Sequence, residues 1–127
     1  MTVVSLPFPV SVNAMFADGK TRRHKSQRYA DWLLEAGYAL NRQKPPPVPG
    51  KVVIHYELQD GRDKRERDCF NFEKGVTDLL VTHGVIERDS NRCLRAGLIE
   101  WSHDVEGIRV TIYREDAVKI SINQVDT

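Results

Sequence analysis

Asp68, Asn71 and Lys74 recur every three residues, directly after a basic run of Arg62, Lys64, Arg65 and Arg67. On a helix that spacing places side chains on one face. Glu87 and Asp89 follow where such a helix should end. Carboxylates beside a lysine, flanked by arginines, suit metal-assisted cleavage of a phosphodiester. A divalent cation neutralises the phosphate and activates water, and a lysine stabilises the charge that develops. Mg²⁺ takes oxygen ligands, often only one or two carboxylates with several waters. Spacing alone is a weak signal, because an aspartate at a helix start is usually a cap or a partner of the helix dipole.

The elements that must position these residues are legible around them. Thr2 to Leu6 reads as a short strand stopped by Pro7 and Pro9. Residues 10–25 read as irregular, with Asn13 and Asp18-Gly19 as turn chemistry. Ser26 is an expected N-cap for a helix running to about Arg42, with Tyr29, Trp32, Leu33, Ala36 and Leu40 at the helical period. Lys44-Pro-Pro-Pro-Val-Pro-Gly50 cannot be helix and is expected to be an extended loop within the domain. Val52, Ile54, Tyr56 and Leu58 alternate through a half-buried strand over Lys51 to Gln59. A second helix is expected from Cys69 to His83, closed by Gly84. It would bury Phe72, Val76, Leu79 and Leu80 and present Asn71, Lys74 and Asp78 on another face. Leu94 to Trp101 and Ile108 to Tyr113 read as strands, with a last short strand over Lys119 to Ile122. This order predicts an α+β fold with a mixed or largely antiparallel sheet. Two main helices would cover one side, leaving the other for an oligomer interface.

Length and composition restrict the function classes. A chain of 127 residues, 40% hydrophobic and 29% charged, fits one globular domain over residues 1–127. No apolar run is long enough to span a bilayer, and the N-terminus lacks a signal-peptide pattern, so a cytoplasmic location is the default. Cys69 and Cys93 have no metal-type spacing, and His24, His55, His83 and His103 are scattered, which argues against zinc. A net charge of +1 gives no global attraction to nucleic acid. The local distribution does: Lys20, Arg22, Arg23, Lys25 and Arg28 form one basic cluster and residues 62–67 another.

Asp68-x-x-Asn71-x-x-Lys74, then Asp78-x-Leu80, then Gly84-Val-Ile-Glu-Arg-Asp89 resembles the RusA family of Holliday junction resolvases. That family shows an Asp-x-Asp-Asn-x-x-Lys stretch and a later acidic turn. Leu6-Pro-Phe-Pro-Val-Ser-Val-Asn13 is similar to its N-terminal segment, and Val105-Glu-Gly-Ile-Arg-Val-Thr-Ile112 to its closing strand. The resemblance runs in order from about residue 4 to 113. It implies a Mg²⁺-dependent, homodimeric endodeoxyribonuclease that resolves four-way DNA junctions in recombination and repair. It also implies that Asp68 and Asp89 bind metal and that Asn71 and Lys74 complete the catalytic set. Arg22, Arg23, Lys25, Arg65 and Arg67 are the expected DNA contacts, giving affinity without sequence readout.

The departure is Phe70, which stands where the second aspartate belongs. Three accounts are open. Glu66, Glu73, Asp78 or Glu87 replaces the carboxylate; or two carboxylates hold Mg²⁺ with water and phosphate oxygens; or the protein binds junctions with little or no cleavage. In the last case Phe70 packs beside Phe72 in the core or an interface, the favoured expectation, or stacks on an opened base. A small interaction module using Pro45 to Pro49 is a more distant reading. His83 is expected as a helix C-terminal partner rather than a general base, Trp32 and Trp101 as core or interface, and both cysteines as small buried groups.

Overall fold

A computed structural model of the chain describes residues 1–19 and 21–121. The described residues contain six strands: β1 (Thr2–Leu6), β2 (Phe16–Asp18), β3 (Arg23–Lys25), β4 (Val52–Gln59), β5 (Leu94–Ser102) and β6 (Ile108–Arg114). Two α-helices accompany them, α1 (Gln27–Gln43) and α2 (Lys74–Thr82). The main sheet has the order β1-β6-β4-β5; β4 and β5 are parallel, and the other pairs are antiparallel. This is the expected α+β class with a mixed sheet.

Alternation within the strands creates the core. Val4 and Leu6 of β1, Ile54, Tyr56 and Leu58 of β4, and Ile108, Val110 and Ile112 of β6 are buried on one face. Tyr29, Trp32, Ala36 and Leu40 of α1 and Val76, Leu79 and Leu80 of α2 join the same cluster, so both helices lie over that face. The opposite face carries a bidentate ion pair, with Arg109 donating to Glu57 at 3.0 and 2.8 Å, and His55 at 2.8 Å from Glu100.

Local chemistry fixes the helix ends. The Ser26 hydroxyl accepts from Tyr29 N–H at 3.1 Å and donates to the Ala14 carbonyl at 2.6 Å. It thereby caps α1 and ties the N-terminal segment to it. Gly84, at φ 72°, turns the chain after α2 in the left-handed conformation that a side chain would disfavour. Val85 and Ile86 then bury and fold the following turn back onto the domain. The proline-rich loop is anchored within the fold: Val48 is buried and its N–H donates to Val85 O, while Thr2 Oγ1 donates to Pro46 O.

Three expectations are corrected. The second helix begins at Lys74, not Cys69; residues Cys69–Asn71 form a separate 3₁₀ turn. The cause is local: the Asp68 carboxylate takes the Phe70 N–H at 3.0 Å, which closes a tight turn before the α-helix can start. Residues 10–25 are not irregular throughout: Val12–Ala14 is a 3₁₀ turn, and β2 and β3 pair as a hairpin. Its three-residue strands are too short to give a period and are held by docking, Phe16 edge-on to Tyr29 at 6.0 Å. Over Lys119 to Ile122, residues 119–121 form no strand, and Ile122, like Lys20 of the first basic cluster, lies outside the described residues.

Candidate active site

The segment from Asp60 to Lys74 leaves the end of β4, crosses the aromatic cluster of Phe8, Phe72 and Trp101, and enters α2. Phe72 is buried, edge-on to Phe8 at 5.3 Å and to Trp101 at 6.0 Å. This pins the 3₁₀ turn that carries Asp68 and Asn71. Beside it, Ser11, Asn13, Arg28, Arg62, Arg65, Glu66, Arg67, Asp68 and Asn71 line a groove of about 230 Å³. The N-terminal Ser-x-Asn segment, the first turn of α1 and the basic run thus meet at the Asp68 turn, although they are far apart in sequence.

The arginines of this groove are not equivalent. Arg62 lies over the Phe8 ring, 4.0 Å from its centroid, a cation–π contact that holds the guanidinium at the groove wall. Arg67 donates to both oxygens of Asp63, at 2.5 and 2.7 Å. Those bonds hold the Asp63 carboxyl well below the usual carboxylate range and raise Arg67. Arg65 makes no side-chain ion pair among the described residues, so its charge is open to a phosphate.

The second half of the predicted set gathers around Lys74. Its ammonium lies 3.1 Å from Asp78 and 3.2 Å from Asp89, and these two bonds, Asp78 first, raise its pKa above the ordinary lysine value. Lys74 is therefore a permanent cation near neutral pH and cannot serve as a base. Asp89 is brought there by the buried Val85-Ile86 turn. Arg88 does not take Asp89, which pairs with Lys74 instead.

Beneath Lys74 runs a hydrogen-bond chain that the sequence did not announce. The Thr77 hydroxyl donates to Glu73 Oε2 at 2.6 Å, and Tyr56 OH lies 2.6 Å from the same hydroxyl. Thr77 has one proton to give, so with its O–H directed at Glu73, Tyr56 is the donor to the Thr77 oxygen. Burial, and less strongly the nearby Glu73, Asp89 and Asp78, keep Tyr56 neutral far above its ordinary range. The chain fixes the first turn of α2 to the sheet.

The four carboxylates considered as replacements for the residue at position 70 separate clearly. Glu87 accepts from Gly50 N–H at 2.9 Å and faces the proline-rich loop. Glu73 is engaged by Thr77, Asp78 shares Lys74 with Asp89, and Glu66 lines the groove beside Asp68. Among the described residues no three of His, Cys, Asp and Glu are grouped to hold a metal ion. Asp68 and Asp89 are both exposed and offer only oxygen. Carboxylate oxygen is the donor type that hard divalent cations take, with water completing the shell.

Phe70 is not in the core. It is 74% exposed, at the tip of the turn between Asp68 and Asn71. Arg22, Arg23 and Lys25 sit on the β2–β3 hairpin, also exposed, with Arg23 over the Phe16 ring at 5.5 Å. Lys25, Tyr29, Asp78 and His83 line one cavity of about 340 Å³, so the hairpin flanks the Lys74 side as Arg62 and Arg65 flank the Asp68 side. His83 is the C-cap of α2, and its ring lies against Gly37 of α1. Trp32 is buried and donates to Pro7 O, and Trp101 is part-buried, stacked on Phe8. Cys93 is buried and Cys69 partly so.

The contributors missed in sequence are Phe8, Arg28 and Arg62 as parts of one wall. Arg28 and Arg62 were legible as members of the two basic clusters, and Phe8 as part of the N-terminal Pro-aromatic-Pro segment, but not their meeting on one wall. A family model described as endodeoxyribonuclease RusA matches residues 7–113. No curated protein matches the chain.

Proposed function

The chain belongs to the RusA endodeoxyribonuclease family, whose members are Holliday junction resolvases, and on that premise we propose that it binds four-way DNA junctions and cuts them by paired, Mg²⁺-dependent phosphodiester hydrolysis in recombination and repair. It would act as a single domain in a homodimer, so that two sites face opposed strands. The observation that carries the reading is the arginine-lined groove ending on Asp68 and Asn71, with the Lys74–Asp89 pair on the adjoining turn of the chain.

Arg28, Arg62 and Arg65 would hold backbone phosphates, which gives affinity and register without reading bases. Arg22, Arg23 and Lys25 on the hairpin would take the strand on the other side of the site. Asp68 and Asp89 would hold the cation, which when bound neutralises the scissile phosphate and activates a water. Lys74, kept protonated by Asp78 and Asp89, would stabilise charge on the phosphate or the departing oxygen. Asn71, in the turn that Asp68 caps, would orient the substrate by its amide. The 3₁₀ turn and the Tyr56–Thr77–Glu73 chain hold these groups in place from either end.

Purified protein and a synthetic four-way junction with Mg²⁺ test this reading. Paired nicks near the branch, lost in EDTA and in Asp68→Asn, are expected; a wild type that leaves the junction intact in both Mg²⁺ and Mn²⁺ overturns the enzyme. Phe70 favours a second reading, a junction-binding protein with weak or no cleavage, because it takes one carboxylate from the metal set. That reading expects structure-selective binding that EDTA does not change and high salt abolishes.

A further inference from the structure

Phe70 is a large aromatic side chain held out into solvent by a rigid turn. Asp68 fixes its N–H, Asn71 N–H donates to Asp68 O at 3.1 Å, and Phe72 N–H to Cys69 O at 3.2 Å. The residues around it are anchored: Phe72 is buried, and Cys69 Sγ lies 3.9 Å from Ile99 O. Its neighbours Asp68 and Asn71 line the arginine groove, so whatever Phe70 touches is already bound next to that cationic wall. An exposed aromatic beside a phosphate-binding groove is the arrangement that binds unpaired strands, because every base has a face to stack while the cations follow the backbone. A phenylalanine has no polar atom to read a base edge, so the contact would tolerate any base.

We propose that Phe70 is a stacking platform for an unpaired base at the branch point, so that the substitution which removes a carboxylate adds recognition of opened DNA. The proposal rests on the junction-binding reading above. Stacking one base requires no movement of the turn, since the ring is already presented.

Binding by the full chain and its Phe70→Ala, Phe70→Leu and Phe70→Trp variants separates the possibilities. Fluorescence anisotropy would compare a fixed four-way junction, a duplex of equal length and a single-stranded oligothymidylate. Phe70→Ala and Phe70→Leu should lower the junction-to-duplex affinity ratio and the affinity for oligothymidylate by about fivefold to a hundredfold. Phe70→Trp should retain both. The slope of affinity against salt should be the same in all, because no phosphate contact is lost. Phe70→Ala matching the wild type on junction and oligothymidylate would overturn the proposal. So would a change of sedimentation from dimer to monomer with DNA binding intact, which would assign Phe70 to a contact between copies. A wild type with no preference for the junction counts against the function proposed above, and the oligothymidylate comparison then still decides whether Phe70 stacks.

Discussion

Lys74, the first residue of α2, is held between the carboxylates of Asp78 and Asp89. Its two carboxylate partners hold the charge in place and ensure that it is a cation throughout the neutral range. Lys74→Ala should lower the cleavage rate by roughly a hundredfold, the order expected for losing one charged stabiliser of a transition state, while junction affinity changes much less. Single-turnover cleavage beside an equilibrium binding titration checks the split. Position 70 makes the opposite experiment possible. Because its side chain is exposed, Phe70→Asp should fold normally and place a second carboxylate beside Asp68. Cleavage should rise and saturate at lower Mg²⁺, read from a metal titration of the nicking rate. An unchanged titration would mean that the existing oxygens already supply what the metal needs.

At the level of elements, the site depends on how the N-terminal segment is seated against the loop before β6. Gly107 has φ 69°, and a Cβ there would stand 2.2 Å from Leu6 O and 3.3 Å from Phe8 N. Both objections involve backbone, which cannot move aside. Gly107→Ala should destabilise the fold by about 2–4 kcal/mol in urea unfolding and weaken junction binding by displacing Phe8 from Arg62. The Glu57–Arg109 pair joins β4 to β6 on the uncovered face, and the hydrogen bonds from Arg109 hold the Glu57 carboxyl below its ordinary 4.5. A lowered carboxyl pKa contributes stability that is present above the unfolded value and lost as pH falls through the folded one. Glu57→Gln should therefore be less stable than wild type at about pH 7, with the gap narrowing as pH falls below the ordinary carboxyl range and through the lowered value in the fold. Element boundaries were legible where one local signal fixed them: the period of two in β4, Ser26 before α1 and Gly84 after α2. The start of α2 was not, because the Asp68 cap and the burial of Phe72 between Phe8 and Trp101 close a separate turn and delay the helix to Lys74, within a run that reads as helical from Cys69.

For the whole molecule, a net charge of +1 says little about DNA, and the arrangement of that charge says more. Arg28, Arg62 and Arg65 converge from two distant stretches on one groove, whereas Arg67 is committed to Asp63. Arg65→Ala should weaken junction binding and reduce the salt slope by about one, while Arg67→Ala should change both less. Salt titrations of the two variants side by side test this ranking. The sequence by itself determined the fold class and the family, the latter from an ordered set of motifs. Those depend on hydrophobic period, capping and motif order, all written locally along the chain. Only the tertiary structure decided that Asp68 and Asn71 sit on a turn apart from α2 and that Lys74 binds Asp78 and Asp89 together. It also decided that Glu87 faces elsewhere and that Phe70 is exposed instead of packed beside Phe72. Each of these depends on which distant side chains fill the space around one short turn, and no spacing within the segment encodes that.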